Sequence, residues 1–308
     1  MLDSYLSGSV DRISPEAPCP IVDIIKKENK LGGAANVANN IKSLGGTPFL
    51  CSVIGNDSTG NTLISILKEK DISTQFIYQS NNRTTTNKTR VIGNNHQILR
   101  IDDETKTELN DDYNKLLSLI NSAFNHTNFD CVLFQDYDKG VINKEIIDIV
   151  TNKSNYLNIP IMADPKKNNF SSYKNITLFK PNIKEFKEGL NLNNTNSLET
   201  LKEGSLILHD KGIEIVFITL SEDGIFISYK KDNNIINKII PTKKINVVDV
   251  SGAGDSVISV VSMLINNIDI EEIAIISNLA GGIACEEVGV VSINKNKLIN
   301  EYNNVKNN

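Results

Sequence analysis

The segment richest in reactive groups is Asp249-Val250-Ser251-Gly252-Ala253-Gly254-Asp255-Ser256. Glycines at 252 and 254 allow a tight turn and close backbone approach, and the peptide N–H groups opening the next helix lack helical partners. Such a turn is a cradle for an anion. A carboxylate within it, Asp255, is placed to take a proton from a hydroxyl as a phosphoryl group arrives, rather than to hold phosphate itself. Aspartate is also a common helix cap, so the glycine turn alone leaves both readings open.

Three other segments offer complementary groups. Leu31-Gly32-Gly33-Ala34-Ala35-Asn36 sets a glycine pair before a helix and places Asn36 one turn in, where its amide can hold sugar hydroxyls. The plainer alternative is a turn leading into a packed Ala-rich helix. Lys180-Pro181-Asn182-Ile183-Lys184-Glu185 puts an amide and a carboxylate three residues apart after a strand end. They could face magnesium-bound water or phosphate, or form a simple N-cap with an acidic first turn. Thr219-Leu220-Ser221-Glu222-Asp223-Gly224 closes another strand with polar turn formers, at the carboxyl edge where ligands of nucleotide-binding sheets collect.

The elements that must position these groups follow an α/β pattern. From about residue 105, apolar β-rich runs at Asp130 to Phe134, Pro160 to Ala163, Ile176 to Phe179 and Glu214 to Thr219 alternate with helical spacing. The helical stretches are Glu108 to Phe124, Asn143 to Ser154 and Ser197 to Leu208, with Asn143 and Ser197 as N-caps. This predicts a parallel sheet covered on both faces. Strands around Gly224 to Tyr229, Ile235 to Ile240 and Ile245 to Val248, then helices at Gly254 to Ile265 and Ile270 to Cys285, complete the expectation. Strand-like segments at Leu6 to Ile13, Ile21 to Ile25, Thr85 to Ile92 and Gln97 to Ile101 fall outside the alternation and predict a separate small sheet, a lid. Its exposed edges give a physical motive for pairing across a homodimer.

Composition limits the alternatives. The 308 residues are 40% hydrophobic and 22% charged, enough for a full core, which excludes disordered and fibrous classes. Thirty-two Lys and Arg against 37 Asp and Glu give a net charge of −5, the wrong balance for a general nucleic-acid binder. Cys19, Cys51, Cys131 and Cys285 stand apart and predict reduced thiols. His96, His126 and His209 are scattered, with no zinc spacing and no Gly-x-Ser-x-Gly elbow, and Tyr137 is expected simply to pack. No apolar run approaches the roughly 18 to 20 residues of a membrane span, so a cytoplasmic protein is expected. The 42 asparagines, paired at Asn39-Asn40, Asn193-Asn194 and Asn307-Asn308, are expected mostly at turns and helix ends.

Taken in order, the four glycine and polar segments resemble the ribokinase-like, or pfkB, family of ATP-dependent carbohydrate kinases over almost the whole chain. Within it, Met1-Leu2-Asp3, Arg12 to Pro18, Lys88 to Val91, Gln97 to Asp102, Asp136-Tyr137-Asp138-Lys139-Gly140 and Asp164-Pro165-Lys166 resemble the branch acting on D-glycero-β-D-manno-heptose 7-phosphate. The resemblance implies a three-layer αβα sandwich with a central, mostly parallel sheet and a small β lid drawn from about 4–31 and 84–103. It implies Asp255 as catalytic base and the backbone of Gly252, Ala253 and Gly254 as anion hole. It assigns sugar contacts to Asp3, Gly33, Asn36 and Asp136. ATP and magnesium contacts fall on Lys166, Asn182, Glu185, Thr219, Ser221, Gly224 and Asn278, with Gly281 and Gly282 on the helix flanking adenine. Asp249 and Ser251 resemble part of a potassium loop, with Gly289 and Ser292 on its far side. Lys88, Arg90 and Arg100 on the lid strands are expected to hold the substrate's own phosphate, although strand cations are often only solvated edge charges.

Two departures are expected to matter. Relatives place a buried strand ending in Gly-Asp before the Met-Leu-Asp segment, a place that Met1 takes here, so the sheet is expected to lack a central element. The chain also stops after residues 295–302 without a nucleotidyltransferase domain, which predicts phosphorylation only. Beside a heptose-phosphate kinase stand two alternatives: a kinase of the same fold for a ribose- or hexose-type sugar, and a catalytically silent sugar-binding protein.

Overall fold

The computed structural model describes residues 1–192, 197–232 and 234–307; Asn193-Asn194 and Asn308 lie outside them. The chain opens with two long antiparallel strands, β1 (Leu2–Ile13) and β2 (Pro20–Leu31). Helix α1 (Ala34–Leu44) follows Gly33, whose φ of 53° an L side chain rarely adopts. Next come β3 (Ser52–Gly55), α2 (Ser58–Glu69) and β4 (Ile77–Ser80), a βαβ unit with its strands parallel. The hairpin β5 (Asn87–Gly93) and β6 (His96–Asp103) returns to pair β5 with β1, making a four-stranded lid in the order β2-β1-β5-β6.

Helices and strands then alternate through α3 (Tyr113–His126), β7 (Val132–Gln135), α4 (Lys144–Tyr156), β8 (Ile161–Asp164), β9 (Leu178–Phe179), α5 (Ile183–Leu190), α6 (Leu198–Asp210) and β10 (Ile215–Thr219). The antiparallel pair β11 (Ile225–Lys231) and β12 (Asn234–Ile240) and helices α7 (Ala253–Leu264), α8 (Ile270–Cys285) and α9 (Lys295–Lys306) follow. Asn143 and Ser197 cap α4 and α6 as their side-chain chemistry predicts. The sheet runs β12-β11-β10-β9-β8-β7, parallel from β7 to β10. Strand alternation divides its side chains between two cores. On β10, Val216 and Ile218 pack with the layer of α3 to α6, while Phe217 packs with α1, α7 and α8. The expected three layers are present. β3 and β4 pair only with each other, however, so the middle layer is two sheets and β7 is the edge of the larger.

Three differences have local causes. The helix expected from residue 108 starts at Tyr113, because Asn110 adopts φ 44° and the chain first makes a 3₁₀ turn. Ile245 to Val248 is not a strand: Val247 and Val248 are exposed, and the amides of Val248 and Asp249 both donate to Cys285 O instead of to a ladder. The unit β3-α2-β4 lies outside the expected elements, because four-residue strands carry little periodicity. Asparagine behaves as composition predicts. Asn94, Asn95, Asn110, Asn158, Asn175 and Asn191 take positive φ, and Asn143, Asn182 and Asn294 cap helices. Asn36 and Asn40 in α1 and Asn278 in α8 depart from this, being buried within helices, and Asn40 Oδ1 accepts from Ile293 N. The four cysteines are free, and no helix among the described residues is long and apolar enough to cross a membrane.

Candidate active site

Gly252 at φ 83° turns the chain into α7 and places Asp255 in its first turn, 7% exposed. Its carboxylate does not cap the helix, so the capping alternative fails. Oδ2 accepts from Asn36 Nδ2 at 2.8 Å, and Oδ1 accepts from Tyr137 OH at 2.7 Å and Gln135 Nε2 at 3.2 Å. Burial pushes the carboxyl up to about 6, against the lowering effect of these donors. Of the cradle amides, Ala253 N donates to Val250 O at 3.3 Å, whereas Gly252 N and Gly254 N have no acceptor among the described residues. Asn36 Oδ1 and Gln135 Oε1 are buried acceptors without partners, suited to receive hydroxyl donors.

Beside the base lies a cluster of cations and acids. Lys180 Nζ, at the end of β9, pairs with Asp164, at the end of β8, at 3.0 Å, both buried. Gln135 Nε2 also reaches Asp164, and Gly254 borders Lys180 Nζ. Lys166 pairs with Glu185 and lies 5.7 Å over the Tyr137 ring. Asn182 and Glu185 form a reciprocal capping box on α5, so the plainer reading of that motif is what the structure contains. Among the described residues, no group of three His, Cys, Asp or Glu could hold a metal. Both Glu185 oxygens are engaged within the chain, Oε1 by Lys166 Nζ and Oε2 by Asn182 N.

The remaining expected residues fall into three sets. Thr219 ends β10 beside Asn182, and Ser221 and Gly224 turn at φ 56° and 94°. Asn278 Nδ2 holds the end of β12 by donating to Ile240 O and Pro241 O, and Gly281 lets α8 pack against Val257. In the expected potassium loop, Asp249 Oδ1 accepts from Ser251 N and Oδ2 from Gly289 N, both at 2.9 Å; Ser292 is exposed. Burial raises the Asp249 carboxyl, but these amides outweigh it and hold the group below the usual range. On the lid, register places Lys88, Arg90, Arg100, Asp3 and Asp102 on one face. Arg90 pairs with buried Asp3, while Lys88 and Arg100 share Asp102 at 3.3 and 2.8 Å.

Asp136 requires a correction. It is 1% exposed, its Oδ1 accepts from Asp138 N, and its Oδ2 accepts from Asn169 Nδ2 and Tyr173 OH. The chain's own donors occupy its carboxylate, which braces the loop after β7 and offers nothing to a sugar. Sequence reading also missed Gln135, Tyr137, Asp164 and Lys180. Tyr137 does more than pack. The available signal was position: each stands at or just beyond the carboxyl end of a core strand, where open α/β sheets collect ligands. The histidines add no chemistry, His209 being buried between Ile213 O and Ser228 Oγ.

A three-layer α/β sandwich whose carboxyl edge gathers a glycine turn, a buried acid and paired lysines beside a β lid defines a ribokinase-like fold. The chain belongs to the pfkB family of carbohydrate kinases, whose pattern matches residues 5–297. It is 36% identical over 301 residues to the bifunctional protein HldE of Trichlorobacter lovleyi, covering 97% of this chain and 60% of that protein. Against bifunctional protein HldE of Aliarcobacter butzleri it is 38% identical over 296 residues, covering 94% and 60%. The chain thus spans about 60% of the length of these relatives. Among solved structures, phosphofructokinase-2 of Escherichia coli in complex with potassium superposes with a TM-score of 0.78 at 20% identity, covering 99% of this chain and 96% of that one. Arabidopsis thaliana ribokinase complexed with ribose and ATP gives 0.70 at 15% identity, covering 98% and 95%. These two establish the fold.

Proposed function

We propose that this carbohydrate kinase transfers the γ-phosphoryl group of ATP to the anomeric hydroxyl of D-glycero-β-D-manno-heptose 7-phosphate, giving the 1,7-bisphosphate and ADP for ADP-heptose and lipopolysaccharide core synthesis. The observation that carries the reading is Asp255: a buried carboxyl raised to about 6, beside two unpaired amides and two orphaned acceptors. Asp255 accepts the O1 proton, O1 bonds to the γ-phosphorus, and the bond to the β–γ bridging oxygen breaks, leaving its electron pair on ADP. Gly252 and Gly254 amides meet charge on the transferring group, with Lys180 close to Gly254. Asn36, Gly33 and Asp3 bound the sugar, and Lys88, Arg90 and Arg100 meet its 7-phosphate. Thr219, Ser221, Gly224 and Asn278 shape the nucleotide side, with Lys166 and Asn182 toward its phosphates. Glu185 would hold magnesium through water; when bound, that ion neutralises phosphate charge. Potassium at the Asp249 and Ser251 loop, a cytoplasmic location and a homodimer through the lid belong to the same proposal. The dimer is supported by β6, exposed along its whole length with Ile98, Leu99 and Ile101 outward.

A second reading, sugar binding without turnover, is favoured by the divided core sheet. One experiment separates the readings: ADP release by the purified protein with heptose 7-phosphate, fructose 6-phosphate and ribose, alongside calorimetric binding of each sugar. The proposal expects kcat/KM highest for the heptose phosphate by about 100-fold or more, the scale of a lost buried polar contact set. Equal or better turnover of another sugar would replace the substrate, and binding without ADP release would establish the silent protein.

A further inference from the structure

The lid hairpin β5-β6 leaves and rejoins the core through two connecting segments, 81–86 and 104–112. Arg83 Nη2 donates to Thr105 O at 3.2 Å and to Lys139 O at 2.6 Å. One guanidinium thus ties the outgoing segment to the returning one, and both to the loop after β7. Thr84 N adds a bond to Thr105 Oγ1 at 3.1 Å. On the core side, Thr85 N donates to Asp57 Oδ2 and Gly55 N donates to Thr85 Oγ1, both at 2.8 Å. Those bonds pin the same junction to β3 and to the N-cap of α2.

Lys139 is held a second time, through its side chain. Its Nζ lies 2.7 Å from Oε2 of Glu104, the first residue past β6, and Glu104 Oε1 pairs outward with Lys106 at 3.0 Å. The Glu104 side chain is 8% exposed against 68% for Lys106, so water screens the inner pair far less than the outer one. Burial raises the Glu104 carboxyl, but the two lysines outweigh it and hold the group below its usual range. Gly140 comes so near the returning segment that a Cβ on it would lie 1.9 Å from Thr107 O. Loop 136–140 is therefore clamped on one side by the lid junction and on the other by the bonds of Asp136 to Asp138, Asn169 and Tyr173. Between the clamps stands Tyr137, its hydroxyl bonded to Asp255, with Asp138 at φ 52° turning the chain toward Lys139.

We infer that Glu104 and Lys139 are positioning residues of the kinase: their ion pair registers the loop after β7 against the lid junction, so that the Tyr137 hydroxyl meets Asp255. The inference rests on Asp255 being the base. The other charged groups facing Asp255 are Asp164, Lys180, Lys166 and the Met1 amino group; the first two pair with each other, and Lys166 pairs with Glu185. Loss of the Glu104–Lys139 pair leaves that set in place, so its effect reaches Asp255 through Tyr137.

The test follows the Asp255 carboxyl carbon of the full chain by NMR through a pH titration, its signal identified by its loss in Asp255→Asn. Kinetics of ADP release with heptose 7-phosphate accompany it. A loosened loop weakens the bond from Tyr137 to the carboxylate, which raises the Asp255 midpoint. Glu104→Gln and Lys139→Met attack the pair from opposite sides, and each should raise that midpoint by about half a unit, against about one unit for Tyr137→Phe. Turnover should fall about fivefold in kcat, with the sugar KM within about twofold of the parent. Lys139→Arg keeps the pair and should restore both readouts, and Lys106→Met, which removes only the exposed partner, should leave the midpoint where it is. With Tyr137→Phe already present, Glu104→Gln should add no further shift. An unmoved midpoint in Glu104→Gln and Lys139→Met overturns the inference, as does a shift that persists without the Tyr137 hydroxyl. So does failure of both variants to fold, which would make the pair a support of the fold and not of the site. If Asp255→Asn keeps its turnover, the base reading fails, while the titration still decides whether the pair sets Tyr137 on Asp255.

Discussion

Asp255 is an acid kept from water and yet held by three donors, a combination that raises its proton affinity while fixing its direction. In the proposed reaction it must be ionised, so kcat/KM should fall as pH drops through about 6. Asp255→Asn should lower kcat by about 10² to 10⁴ with ATP affinity retained, measured by ADP release and calorimetry. The same burial predicts a stability effect. Because the folded carboxyl binds its proton more tightly than the unfolded one, its contribution is lost as pH rises from about 4 to about 6. Above that, the ionised group costs up to about 3 kcal/mol, so Asp255→Asn should melt higher than the parent at pH 7.5 and lose that advantage at pH 4. Tyr137→Phe removes one donor to the carboxylate. It should move the acid limb of the pH profile upward by about one unit, the worth of a charge-assisted hydrogen bond of about 1.5 kcal/mol. An unmoved limb would mean that the tyrosine does not act through Asp255.

At the scale of elements, strand ends and helix starts deliver the site. β7, β8 and β9 finish at Gln135, Asp164 and just before Lys180, while α7 starts at the glycine turn. The loop after β7 carries Tyr137 and is pinned by Asp136 through Asp138, Asn169 and Tyr173. Asp136→Ala would leave those donors unpaired, at about 1–3 kcal/mol for each buried one. The expected result is a clearly lower unfolding midpoint with the sugar KM of the folded fraction unchanged. A specific rise in sugar KM without loss of stability would restore Asp136 to the binding set.

For the whole molecule, a specific polar contact joins lid and core beside the apolar packing of Leu2 and Leu31 against α1 and α2. Tyr5, on β1, accepts from Val290 N at 3.0 Å, and its ring lies 5.4 Å from the Arg90 guanidinium. Gly289, beside it, donates to Asp249 in the loop leading to the glycine turn. Tyr5→Phe would strand a buried backbone donor at about 1–3 kcal/mol and loosen lid from core. The expected outcome is a higher sugar KM with near-parental kcat. A fall in kcat alone, with KM intact, would show that the contact does not position the lid.

The sequence by itself determined the alternation from β7 to β10, the caps Asn143 and Ser197, the lid strands and the glycine turn with its acid, because each is a local matter of periodicity, side-chain capping chemistry or backbone freedom. It left β3, β4 and the failed strand at Ile245 to Val248 illegible, because strand formation depends on a neighbour to pair with. Tertiary structure decided what each polar group faces. It turned Asp136 inward, paired Lys180 with Asp164 and brought Gln135 and Tyr137, some 120 residues away in the chain, onto Asp255. Those outcomes depend on which donors and charges end up within about 3 Å of one another, a distance that only the packed chain sets.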